Sequence, residues 1–154
     1  MLQSKNRALE YCILPSNKKE NNIENTMLYV SHIIGKGRGV LTSKKIERET
    51  VIERCPVIVI DADQVNHLKD TELNNYYFCW GKNQESAAIA LGLGSIYNHS
   101  YTPNAIYRPC LEEQVLEIVA IKKILPNEEI TFNYNGTPND HSPLWGNDQI
   151  DWVV

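Results

Sequence analysis

Between Gly94 and Asn104 the chain reads Gly-Ser-Ile-Tyr-Asn-His-Ser-Tyr-Thr-Pro-Asn, and no other stretch restricts the fold as much. Asn98, His99, Ser100 and Asn104 crowd around Pro103, directly after the apolar, small-residue run 87–93. Ile96 and Tyr97 draw the Asn98-His99 pair toward the interior, where each unpaired polar group costs about 1–3 kcal/mol. The fold, or a ligand, must therefore supply hydrogen-bond partners for these side chains.

The flanking sequence reads as short strands. Residues 27–34 carry the β-branched and aromatic content of a strand and run into Gly35-Lys36-Gly37-Arg38-Gly39, after which Val40-Leu41 resumes the apolar pattern. Thr50–Arg54 and Val57–Ile60 read as two strands broken at Cys55-Pro56, since proline removes a ladder donor. Val65, Leu68 and Leu73 give a weak helical stripe that Asp61 or Asp63 is placed to cap. Tyr76–Trp80 is the densest aromatic cluster and reads as a core strand. Strands over 104–108 and 115–121 join around Glu112-Glu113, and Ile130–Tyr134 is a last strand ended by Asn135-Gly136. The expected architecture is mainly β, with small curved sheets, little helix and long functional loops. Lys44-Lys45-Ile46 and Lys122-Lys123-Ile124 open similar turns, but the likeness is too short for an internal repeat.

The chain divides into a flexible or loosely docked lead-in over 1–26, rich in Asn, Lys and Glu, an ordered domain over 27–136, and a tail over 137–154. The 154 residues suit one domain with a core of its own. A net charge of -4 argues against nonspecific nucleic-acid binding. No Lys or Arg follows Lys123, while Glu128, Glu129, Asp140, Asp148 and Asp151 do. That end either attracts a basic partner or is a plain solvated acidic tail. Met1–Asn22 lacks the apolar core of a signal peptide, and no segment approaches the roughly 20 apolar residues of a membrane span. A soluble, intracellular setting, cytoplasm or nucleus, is the expectation.

Among single motifs, Gly35-x-Gly37-x-Gly39 lacks both the P-loop Lys-Ser/Thr and the dinucleotide spacing, so a hairpin turn is the better reading than a phosphate site. Cys12, Cys55, Cys79 and Cys110 form no C-x-C or C-x-x-C pair, and His32, His67, His99 and His141 are scattered, so no metal site is expected. His99 by itself reads as a hydrogen-bonded structural histidine.

Three elements taken in order are more specific: Gly37-Arg38-Gly39-Val40 after a strand, then Asn98-His99-Ser100-x-x-Pro103-Asn104, then Glu128-Glu129-Ile130-x-Phe132-Asn133-Tyr134. Together they resemble the SET domain of protein-lysine methyltransferases over residues 27–136. Tyr76-x-Phe78 followed by Ala90-Leu91-Gly92-x-Gly94-x-Ile96-x-Asn98-His99-Ser100 is similar to the minimal viral and bacterial SET proteins, the chlorella-virus enzyme in particular.

The resemblance implies a C-terminal pseudoknot, in which the last strand's segment passes under the Asn98-His99-Ser100 loop. It implies S-adenosyl-L-methionine as cofactor, bound by Lys36, Gly37, Arg38, Asn98, His99 and Tyr134. Tyr134 matches the family's tyrosine at the methyl-transfer channel, and Tyr76 resembles a second channel tyrosine. Ile96, Tyr97 and Phe132 are expected along the substrate channel, Phe132 at a position tied to how many methyl groups are added. The implied partner is a protein with a basic, lysine-containing segment, a histone tail or another basic protein. A domain this small has the option of a homodimer to complete its groove.

Departures from the family are informative. Relatives often carry Cys after Asn-His-Ser, joined to a zinc cluster with a later C-x-C; here the position is Tyr101 and the C-x-C is missing. Something else must close the channel, and Leu144-Trp145 and Ile150-x-Trp152 are the apolar pieces at hand. Trp145 is expected to cap the cofactor or channel, or else to pack on the core. Glu49 and Asn127 stand where relatives have a turn glycine. A catalytically weak SET-like module that binds a peptide or protein is the competing function.

Overall fold

The β-branched and aromatic runs pair into two sheets. The computed structural model describes residues 28–144. Within them lie β1 (Leu28–Ile33), β2 (Gly37–Thr42), β3 (Val51–Ile60), β4 (Tyr77–Trp80), β5 (Ser86–Ala90), β6 (Asn98–His99), β7 (Ala105–Cys110), β8 (Val115–Ala120) and β9 (Glu129–Phe132). One sheet has the order β1-β2-β9-β6 and the other β4-β5-β3-β8-β7. The pairs are antiparallel except β6 with β9, which run parallel with Asn98 opposite Thr131 and His99 opposite Phe132. Parallel neighbours cannot be joined by a tight hairpin, and here the intervening chain makes β7 and β8 in the other sheet.

Two expectations change. The strands expected over Thr50–Arg54 and Val57–Ile60 are one: from Val51 on, both lie in the ten-residue β3, with a register shift between Val51 and Glu53. Pro56 is tolerated because it sits where β3 exchanges partners: residues through Pro56 pair with β8, and Val57 onward with β5. The Pro56 carbonyl accepts the Leu91 amide at 2.9 Å. The expected helix is absent as well. In its place stand two single 3-10 turns, Val65–Leu68 and Glu72–Asn75, neither with a side-chain cap. Only Leu68 of the proposed stripe is buried, so there was no apolar face to hold a longer helix.

The two Lys-Lys-Ile turns meet. Ile46 and Ile124 exchange backbone hydrogen bonds of 2.9 Å in each direction, Asn127 N–H donates to the Thr42 carbonyl, and Glu49 N–H donates to the Ala120 carbonyl. The offsets match on the two sides, so a likeness too short to mark a repeat does form a local two-fold clasp between the sheets. Glu49 and Asn127 occupy equivalent positions with φ of 69° and 64°, the left-handed geometry for which a glycine is the usual choice.

Buried residues from both sheets, among them Val40, Ile52, Leu116, Ile118, Ile130 and Phe132, form the core. On β8, Glu117 is nearly excluded from water and lies between Arg54 on β3 and Arg108 on β7. Removing either arginine would leave a buried charge short of a partner. Among the described residues no helix is long and apolar enough to cross a membrane.

Candidate functional site

Parallel pairing of β6 with β9 places the polar stretch against the last strand, and there its side chains find their partners. Asn98 Nδ2 donates to the Arg38 carbonyl at 2.9 Å and to Glu129 Oε1 at 2.7 Å, tying β6 to β2 and β9. Glu129 Oε2 lies 3.9 Å from Lys36 Nζ, which also donates to the His99 carbonyl at 3.2 Å. Gly39 makes room for this knot: a Cβ there would stand 2.5 Å from Ile33 Cγ1, 2.6 Å from Glu129 Oε1 and 2.9 Å from Asn98 Nδ2. Asn104 is committed to the fold, with Nδ2 donating to Glu128 Oε1 and the Glu129 carbonyl and Oδ1 accepting from Thr131 N–H. Glu128 and Glu129 are thus engaged inside the domain, and neither is part of a free acidic tail.

His99 is 3% exposed, and its Nδ1 accepts the Tyr134 backbone N–H at 3.1 Å. Burial, helped by the Lys36 charge, pushes its pKa down to about 4. The ring is therefore neutral near pH 7, and because Nδ1 accepts, the network assigns the proton to Nε2. Nε2 is buried without a hydrogen-bond partner, and the ring stands perpendicular to Tyr101 at 4.4 Å between centroids.

Tyr134 donates its hydroxyl to the Tyr97 carbonyl at 2.8 Å. Burial first, then Glu129 and Tyr76, raises its pKa well above the ordinary phenol value, so it stays protonated at physiological pH. Tyr76 is 38% exposed, and its carbonyl accepts the Ser95 hydroxyl. Phe132 is buried, with ring centroids 5.6 Å from Tyr134, 5.8 Å from Tyr97 and 5.1 Å from Tyr107. Ile96 is partly buried against the core. Tyr97 buries its ring and presents its carbonyl to Tyr134, while its own hydroxyl goes to Glu53.

Lys36, Arg38, Asn98, His99 and Tyr134 are thus brought into one hydrogen-bonded cluster, with Gly37 beside them. Trp145 lies outside the described residues. Tyr107 and Glu53 escaped sequence reasoning, and Tyr101, noted there only as a departure from the family, gains partners. Tyr107 packs at 5.1 Å on both Phe78 and Phe132, and its signal was the strand alternation that puts it on the same face as buried Ala105. Tyr101 donates its hydroxyl to the Ser142 carbonyl and stacks on His141 at 5.6 Å, closing on the segment after β9. Glu53 accepts from Tyr97 and from Leu93 N–H, a contact without any local sequence signal.

Two features fit a bound organic cofactor: the orphaned, buried His99 Nε2 and the unobstructed Cβ direction of Gly37, at φ 79° with nothing within 4 Å. Among the described residues no cluster of three or more His, Cys, Asp or Glu could hold a metal ion.

Residues 37–135 match the SET domain family. A Schizosaccharomyces pombe histone-lysine N-methyltransferase, H3 lysine-37 specific, is 32% identical over 74% of this chain and 73% of its own. Drosophila melanogaster histone-lysine N-methyltransferase Set8 is 31% identical over 70% of this chain but 17% of its own length. The Saccharomyces cerevisiae H3 lysine-36 specific enzyme is 33% identical over 65% of this chain and 15% of its own. Among solved structures, a candidate histone methyltransferase of Plasmodium falciparum superposes with a TM-score of 0.58 at 25% identity, over 75% of this chain and 94% of that one. A Cryptosporidium SET8 protein shares the fold with a TM-score of 0.60 at 22% identity, over 77% of this chain and 60% of that one. The match spans the glycine turn, the Asn98-His99 segment and Tyr134, and the chain belongs to the SET-domain family.

Proposed function

We propose that this protein transfers a methyl group from S-adenosyl-L-methionine to a lysine side-chain amine of a protein substrate. The observation that carries the reading is the Tyr134 hydroxyl held on the Tyr97 carbonyl, with its backbone held on His99, in a chain of the SET family. Lys36, Gly37, Arg38, Asn98 and His99 are the residues that would hold the cofactor. When bound, S-adenosyl-L-methionine supplies an activated sulfonium methyl.

The substrate amine must arrive neutral, yet a free lysine has a pKa near 10.4. The aromatic enclosure of Phe78, Tyr107 and Phe132 disfavours an ammonium by desolvation. Tyr134, protonated and fixed at both its backbone and its hydroxyl, orients the amine through its oxygen; Tyr76 completes the outer rim. No strong general base is required of the chain. Alignment in a water-poor channel is the main contribution.

The substrate class is a basic, lysine-containing protein segment, with a histone tail the first candidate because the relatives are named for histone lysines. A nuclear or cytoplasmic setting goes with such a substrate. The likeness to minimal viral and bacterial members rests on the motifs around Tyr76 and Asn98.

The test is a labelled-methyl assay on core histones and on other basic proteins, beside calorimetry with S-adenosyl-L-methionine. Transfer that falls sharply in Tyr134→Phe, to a residual rate still measurable, is the expected result. Absence of cofactor binding at millimolar concentration would overturn the enzyme reading in favour of a peptide-binding module.

A further inference from the structure

Glu53 lies on β3, in the sheet that does not contain Asn98 and His99 or the strand β9 that leads to Tyr134, and no role in methyl transfer would be sought there. Its carboxylate is nevertheless used at both oxygens by the turn that leads into β6. Oε1 accepts the Leu93 amide at 2.9 Å, and Oε2 accepts the Tyr97 hydroxyl at 2.7 Å. The turn is built to admit it. Gly92 has φ of 65°, and a Cβ there would stand 2.5 Å from Glu53 Oε1; a Cβ on Gly94 would stand 2.9 Å from Cys55 Sγ, two residues along the same strand. Tyr97 is 1% exposed, so its ring has one place to be, and that place is set at the hydroxyl end by Glu53.

The other end of the same residue holds Tyr134. The Tyr97 carbonyl accepts the Tyr134 hydroxyl at 2.8 Å. A chain of two bonds therefore joins the sheets: Glu53 fixes the Tyr97 ring and the Leu93 amide, these fix the 93–97 backbone, and that backbone presents the carbonyl on which the Tyr134 hydroxyl is oriented.

We infer that Glu53 is a positioning residue for methyl transfer, acting through Tyr97 to set the Tyr134 hydroxyl. The inference rests on the proposed methyltransferase activity for its kinetic consequence, but the coupling between Glu53 and Tyr134 is a property of the fold and has its own readout. Glu53 touches neither cofactor nor amine in this account. Loss of its bonds should misplace a hydroxyl that must be oriented for the transition state, and so lower kcat while leaving the cofactor KM in place.

Two variants separate positioning from support of the fold. Tyr97→Phe keeps the ring and removes only the hydroxyl contact; Glu53→Ala removes both contacts. Glu53→Gln is the conservative rescue, because its amide oxygen can still accept from Leu93 N–H while its amino group donates to the Tyr97 oxygen. The expected result is a kcat lowered about 10-fold or more in Tyr97→Phe and in Glu53→Ala, with cofactor KM within about twofold, and substantial recovery in Glu53→Gln. In a Tyr134→Phe background the Tyr97→Phe penalty should vanish, as expected of residues acting through one contact.

The independent readout is the ring-carbon NMR resonance of Tyr134, labelled at Cζ, in the full-length protein. It should move in Tyr97→Phe and return toward the wild-type position in Glu53→Gln relative to Glu53→Ala. An unmoved Tyr134 resonance in folded Tyr97→Phe, or a kcat penalty of equal size with and without the Tyr134 hydroxyl, would overturn the inference. Should the wild-type protein transfer no methyl group, the functional reading fails, and the resonance still decides whether Glu53 sets Tyr134.

Discussion

The Tyr134 backbone amide donates to His99 Nδ1 at 3.1 Å, so the residue proposed to orient the amine is held by the neutral form of a buried histidine. Protonating His99 would put a hydrogen on the atom that accepts this bond. With its folded pKa lowered to about 4 from 6.5, His99 binds a proton more readily in the unfolded chain. Its contribution to stability is thus complete above about pH 6.5 and is lost as pH falls through about 4, at an order of 1–3 kcal/mol. Thermal unfolding followed from pH 7 to pH 4 should show a steeper decline for the wild type than for His99→Asn, which has no titrating group at this position. Parallel pH profiles for the two proteins would remove His99 from this role.

The glycines of the first hairpin should fail for different reasons. Gly37→Ala places a side chain at φ 79° in open space, a backbone cost of about 1–2 kcal/mol. Gly39→Ala instead drives a methyl group into Ile33, Glu129 and Asn98, an overpacking cost of about 1–3 kcal/mol. Urea unfolding in an Asn98→Ala background separates the two. The Gly39→Ala cost should shrink once Asn98 is gone, and the Gly37→Ala cost should not.

Product multiplicity should respond at Phe132. Its ring packs among Phe78, Tyr97, Tyr107 and Tyr134 and offers no hydroxyl to hold a water near the amine. The wild-type enzyme is expected to reach di- or trimethyllysine, and Phe132→Tyr to stop earlier. Mass spectrometry of a substrate peptide at excess cofactor reads this directly. Monomethyl product alone from the wild type would contradict it.

How much of this was legible in the sequence depends on how far apart the partners lie. Ile130–Phe132 and Val115–Ala120 could be read as strands from local pattern, because apolar and β-branched character is a property of the segment itself. The need of Asn98 and His99 for partners was equally local. The identity of the partners was not, since Glu129, Arg38 and the Tyr134 amide reach them only through the parallel β6–β9 pairing. The stripe of Val65, Leu68 and Leu73 misled because spacing alone says nothing about whether an element has a surface to pack on. Pro56 read as a break because its missing donor is local information, while the exchange of strand partners that makes it harmless is not.

Tyr101 supplies the last prediction, because it stands where relatives commonly place a zinc-binding cysteine and does different work here. Its hydroxyl donates to the Ser142 carbonyl at 3.0 Å, and its ring lies between His99 and His141. Asn135 Nδ2 bonds the same carbonyl at 2.7 Å, and Asn133 Nδ2 the Asp140 carbonyl, so the segment after β9 is fastened by hydrogen bonds and ring contacts. Tyr101→Phe should cost about 0.5–1.5 kcal/mol in global stability, the worth of one partly exposed bond. Protease cleavage within 137–144 should accelerate several-fold more than that figure implies, because local opening requires only these contacts to break. Prolonged dialysis against a strong chelator should change neither melting temperature nor methyl transfer. A chelator-induced fall in melting temperature, restored by zinc, would show that metal holds this segment after all.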